Sequence, residues 1–128
     1  MNYYISRIVE ADFDATIARV VEALKKEGFG VLTDIDVTAT MKQKLGFDFR
    51  KYRILGACNP PLAHKALSAE DKIGVMLPCN VIVQDVGAGK TEVAAVDPRA
   101  AMERVGNPAL ADIAQVVAHR LGRVLQAV

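Results

Sequence analysis

Each helical segment that can be read in this 128-residue chain carries a single apolar stripe, and that property decides most of what the chain can build. A helix with one stripe buries one side against a sheet, so helices of this kind cover one sheet face and leave the other to something else. The clearest case begins after Asp12, which offers an N-cap. Phe13, Ile17, Val20, Val21 and Leu24 recur at helical spacing and fall in one sector at about 100° per residue, with Glu22 and Lys26 opposite. Gly28 closes that helix. Asn59-Pro60 and Asn107-Pro108 each pair a cap with a proline at the first helical position. They predict a helix running to about Glu70 and a last one with Leu110, Ile113, Val117, Leu121 and Val124 inward.

The strands come from β-rich runs and period-two alternation. Residues 3–9 read as the first. Phe29, Val31, Ile35 and Val37 share one parity, and Asp34, Asp36 and Thr38 the other, which predicts a half-buried second strand. A third runs from about Lys51 to Ala57. The most apolar stretch is Ile73 to Val83, whose odd positions Ile73, Val75, Leu77, Cys79, Val81 and Val83 all suit a core face. Pro78 cannot donate to a ladder and implies a bulge or an edge there. Gly87-Ala88-Gly89 turns the chain into a fifth strand, Thr91 to Val96. A short helix over 38–46, ended by Gly46, would return Phe47 and Phe49 to the core.

The resulting order is β-α-β-β-α-β-β-α. It predicts an α+β fold, a two-layer α/β sandwich with a five-stranded mixed or antiparallel sheet and helices on one face, in a single domain over 1–128. The expected core is Phe13, Ile17, Val20, Leu24, Val31, Ile35, Val75, Val81, Leu110, Ile113, Val117 and Leu121. Leu32, Leu55, Met76, Pro78 and Ile82 fall on the opposite parity, interrupted by Asp34, Asp36 and Asn80. That is too apolar for a sheet face left in water, and it predicts a homodimer through this face or its edge. The competing arrangement folds segment 38–50 across the same face.

Composition removes several function classes. Hydrophobic residues make up 52% and charged residues 24%, which is globular rather than disordered. Sixteen Lys and Arg against fifteen Asp and Glu leave no surplus for neutralising phosphates, so no nucleic-acid partner is expected. The N-terminal residues lack the basic and apolar regions of a secretory signal, and no apolar run approaches the ~20 residues of a membrane span. Two cysteines do not make a disulfide framework, and the chain is assigned to the cytoplasm.

Two stretches resemble a known family. They are Gly28-Phe29-Gly30-Val31-Leu32-Thr33-Asp34-Ile35-Asp36-Val37, and Tyr52-Arg53-Ile54-Leu55-Gly56-Ala57-Cys58-Asn59-Pro60-Pro61-Leu62-Ala63 followed by Ile73-Gly74 and Leu77-Pro78-Cys79-Asn80-Val81. Together they are similar to the domain-of-unknown-function family 302. The resemblance covers most of the chain and implies a compact α+β fold, often in symmetric dimers. It names no reaction and brings no catalytic residues.

The candidate site is Cys58, Asn59, Cys79 and Asn80. Each cysteine is followed by asparagine, and parity counted from Ile54 puts Cys58 on an interior face just before a helix N-terminus. Unsatisfied amides there favour a thiolate, although Pro60 and Pro61 remove two of them. The plainer account is that both cysteines are small buried hydrophobes and Asn59 a cap. His64 and His119 lie opposite the apolar stripes of their helices, so a Cys/His metal site or a Cys-His nucleophile within one subunit is not expected. No metal and no cofactor is expected.

Gly87-Ala88-Gly89-Lys90-Thr91 resembles the end of a P-loop, but Gln84 stands where the first glycine belongs and the segment joins two strands. Lys42, Lys44, Arg50, Lys51 and Arg53 stand near Asp34, Asp36 and Asp48 as a solvated face of mixed charge. Two functions from different classes follow. One is a homodimeric binding or interaction module with a second copy and a small-molecule ligand as partners, and no membrane. The alternative is a thiol-dependent redox, sulfur-handling or soft-metal-binding protein using Cys58 and Cys79.

Overall fold

The computed structural model describes residues 2–128. Its five strands are β1 (Tyr4–Val9), β2 (Gly30–Asp36), β3 (Tyr52–Cys58), β4 (Cys79–Gly87) and β5 (Lys90–Val96), in spatial order β1-β5-β4-β3-β2 and antiparallel throughout. The helices are α1 (Phe13–Lys26), α2 (Val37–Leu45), α3 (Pro60–Ala69), α4 (Pro98–Val105) and α5 (Ala111–Ala127). The α+β sandwich expected from the apolar stripes is therefore the observed architecture, with an antiparallel sheet.

The sheet order puts β1 and β2 at opposite edges, so α1 must carry the chain across the whole sheet. Four strand spacings of ~4.8 Å make ~19 Å, and fourteen helical residues at ~1.5 Å span ~21 Å. The length matches. Asp12 caps the crossing helix, its Oδ2 accepting the Ala15 amide at 3.0 Å, and Gly28 ends it at φ 85°. α1 and α5 lie on the same sheet face, and Val20, Leu24, Leu55, Val81, Val83, Val93, Leu121 and Val124 close the core between them.

The second strand departs from simple alternation. Val31 pairs with Ala57, but Thr33 pairs with Gly56, so Leu32 is an extra residue in a bulge. Every later side chain of β2 is flipped. Ile35 faces away from the core opposite Ile54 and is 48% exposed, whereas Asp34 and Asp36 fall on the helix side opposite Leu55 and Arg53. Leu55, expected on the open face, is buried in the core. The bulge also fixes Gly56. A Cβ there would run into Thr33 Oγ1 and stand 2.8 Å from Pro78 Cγ.

The stretch from Ile73 to Val83 is not one strand. Asp71–Met76 forms a 3-10 turn and the ladder begins at Cys79. Ile73 is buried in a smaller cluster with Ala66 and Leu110, but Val75 is 86% exposed because a three-residue period replaces the two-residue one. α4 lies where no element was expected, started by Asp97-Pro98. Asp97 Oδ1 accepts the Arg99 amide at 3.1 Å. The same cap-and-proline device opens α3 and the 3-10 turn Pro108–Leu110 before α5.

α2 is a capped helix, Asp36 Oδ1 accepting the Ala39 amide at 2.9 Å and Gly46 ending it at φ 72°. It packs against β3 and buries none of its residues. Phe47 does not return to the core and is 62% exposed; Phe49 is half-buried beneath the Arg50 guanidinium, 4.5 Å from its ring centroid. Among the described residues, no helix is long and apolar enough to cross a membrane.

Candidate functional site

The end of the sheet where β3 finishes and β4 begins is not closed by side chains. α3 leaves β3 directly, α4 and α5 come from the other end of the chain, and between them lies a cavity of about 330 Å³. Its wall includes Leu32 of the bulge, Leu62 and Leu67 of α3, Met102 of α4, and Ile113 and Val117 of α5. No charged side chain lines it. Leu67 is partly open to solvent, as is Leu32.

Cys58, Asn59 and Cys79 all line this cavity. Ala57 is the cross-strand partner of Cys79, which makes Cys58 its diagonal neighbour. Cys79 shares the side of Val81 in the core, and Cys58, the last residue of β3, is half-buried at the wall of the same cavity. Leu55 and not Ile54 points to the helices. Both thiols are free.

Burial, and secondarily the nearby Cys58, pushes the Cys79 thiol up to about 11. Cys79 is therefore protonated near neutral pH and is neither a ready nucleophile nor a ready soft-metal ligand. Among the described residues no three His, Cys, Asp or Glu side chains come together to hold a metal ion.

Asn59 has a structural task. Its Oδ1 accepts the Leu62 amide at 3.2 Å and its backbone carbonyl accepts the Ala63 amide at 2.8 Å, starting α3. Its Nδ2 lies 2.9 Å from where a Cβ on Gly28 would sit, so the cap is wedged against the end of α1. Asn80 lies apart from the other three. It is exposed on the open sheet face, in a separate trough. His64 and His119 are exposed and line no part of the cavity.

The charged stretch resolves into local pairs. Lys42 meets Asp48 at 3.2 Å, and Arg53 meets Asp34. Arg50 Nε donates to Gln84 Oε1 at 2.8 Å, and Gln84 Nε2 donates to Glu92 Oε1 at 2.7 Å. The Gly87-Ala88-Gly89 segment is the turn between β4 and β5, with positive φ at all three residues, and so has no helix to present amides to a phosphate.

The cavity wall was not visible in any local motif, because Leu32, Leu67, Met102 and Ile113 are brought together only by the fold. One signal did exist. Asp97-Pro98 repeats the device of Asn59-Pro60 and marks the helix that supplies Met102.

Residues 5–128 match the family model described as "Domain of unknown function DUF302". A solved structure titled "Crystal structure of uncharacterized conserved protein DUF302 from Bacillus stearothermophilus" is 33% identical. That similarity covers 99% of this chain and 98% of that one, with a TM-score of 0.92. No curated protein matches the chain. With nearly its whole length matched and its fold shared, the chain belongs to the DUF302 family.

Proposed function

We propose that this chain is a cytoplasmic homodimeric binding module that holds a small, uncharged, apolar ligand in the cavity beside Cys58 and Cys79. The observation that carries the reading is the cavity wall. About 330 Å³ lies at the lower end of the range for small-molecule sites, and an uncharged lining rewards apolar surface while penalising an ion. The raised Cys79 value supports binding over chemistry, since no His or carboxylate stands by to take its proton. Free thiols suit a reducing compartment. The dimer is supported by the open sheet face, where Tyr4, Ile8 and Ile35 are exposed.

The test is titration with a small apolar fluorescent dye, with Ala63→Phe as the blocking variant. Ala63 is half-buried on α3 and lines the cavity. The expected result is a loss of dye affinity of at least about tenfold with an unchanged circular-dichroism spectrum, corresponding to ~1.4 kcal/mol or more. Equal dye binding by both proteins, or none by either, overturns the cavity reading.

The thiol-dependent reading rests on both cysteines lining one cavity. It requires rapid alkylation of native protein near neutral pH. Labelling of Cys79 only on unfolding removes it.

A further inference from the structure

The open sheet face is shaped, and α2, which packs against β3, leaves its carboxyl end exposed. Tyr4 on β1 and Tyr52 on β3 stand at diagonal corners of that face and bound a trough of about 500 Å³. Ile82 and Ala94, paired across β4 and β5, form its middle, and Glu92 is its acid. Three strand spacings, ~14 Å, separate β1 from β3, and a helix with its side chains measures ~10 Å across.

α2 has the complementary properties. It is capped at both ends yet buries no residue, and Leu45 and the following Phe47 are 59% and 62% exposed. Its charges are Lys42 and Lys44, with no acid between Val37 and Leu45. Lys42 is taken by Asp48 and Lys44 has no ion pair among the described residues. A basic helix with an exposed apolar end therefore exists on the same chain as a trough in which Ile82 and Ala94 stand beside the polar Asn80, Gln84 and Glu92.

We propose that α2 of one copy seats in the trough of a second copy, and the reverse by two-fold symmetry. Leu45 and Phe47 then lie toward Ile82 and Ala94, and Lys44 lies toward Glu92. This rests on the homodimer part of the function proposed above and adds where the contact is made. A two-fold axis uses each trough and each helix once, so the exchange closes at two copies and leaves no free trough to propagate a chain. The face alone, on the order of 20 by 20 Å, projects about 400 Å². Standard interfaces remove ~800 Å² of accessible area from each partner, so the helix supplies the remaining contact.

Cross-linking places the helix. In a Cys58→Ser/Cys79→Ser background with wild-type circular dichroism, Leu45→Cys and Ile82→Cys proteins are mixed and treated with a short bismaleimide. The expected product is a covalent dimer from the mixture, with neither variant linking alone. Linking by Leu45→Cys alone means that α2 pairs with α2 and overturns the proposal. A sedimenting dimer with no link from the mixture also overturns it while leaving the homodimer intact. A monomer at micromolar concentration removes the homodimer itself. As a second measurement, Phe47→Glu is expected to weaken dimerisation at least about tenfold, and an unchanged dimer counts against the seat.

Discussion

Arg53 and Asp34 meet across β3 and β2 in a two-pronged ion pair, Nε to Oδ1 and Nη2 to Oδ2, each at 2.7 Å. The pair exists because the bulge at Leu32 turns Asp34 to the helix side, where Arg53 already points.

This contact holds the Asp34 carboxyl below its usual 3.8, through the Arg53 hydrogen bonds first, with burial opposing and the Arg53 charge adding. Its folded pKa is depressed, so the stability it contributes is present above the unfolded value and lost as pH falls through the folded one. Arg53→Gln is expected to cost about 0.5–1.5 kcal/mol near neutral pH, modest because both side chains reach solvent. Urea unfolding of both proteins checks it. The difference should shrink below about pH 4, and a constant difference down to about pH 2 would assign the loss to packing instead.

Gly56 offers a test with no titrating group. Gly56→Ala drives a methyl against Thr33 Oγ1 and Pro78 Cγ, so overpacking of about 1–3 kcal/mol is expected. Thr33→Ala removes one of the two obstacles, and the double variant should recover part of the loss. Additive losses in denaturant midpoints would mean that Thr33 is not what excludes the methyl.

Cys79 supplies the alkaline counterpart. Its folded pKa of about 11 lies above the unfolded value of about 9, so its stability contribution is complete below pH 9 and is lost between pH 9 and 11. The loss over that window approaches 2–3 kcal/mol. Cys79→Ala has no thiol to ionise, so subtracting its curve removes the background from the lysines and tyrosines. Parallel curves for the two proteins over pH 8–11 would show that the thiol ionises as freely folded as unfolded.

The residues explain which parts of this architecture could be read in advance. Phe13, Val20, Leu24 and Leu121 sit where helical angle puts them, because an apolar stripe on a long helix has one burial solution. Ile35 was misplaced because parity carries no trace of a residue that drops out of register, and one bulge at Leu32 reverses the rest of β2. Leu55 lies on β3, whose pairing with β4 is regular; alternation there separates two faces without saying which one is inward. Val75 was misplaced because an apolar run fits a strand and a tight turn equally well until its neighbours are known. At the site, Cys58, Asn59 and Cys79 announced themselves through local motifs and do gather at one cavity. Asn80 shared the motif but belongs to the other face, since one step along a strand changes sides.

The passage of α1 from one sheet edge to the other also governs assembly. β2 through β5 are spatial neighbours in chain order, so each can join its predecessor by closing a short or moderate loop. β1 has no such neighbour. It pairs with β5, the last strand made, and Arg7 on β1 reaches the final turn of α5 through the carbonyls of Leu125 and Gln126. β1 thus leaves the ribosome before the other four strands of this sheet but finds its strand partner only when β5 has emerged, which makes it a late addition to a sheet that the rest of the sequence can begin without it.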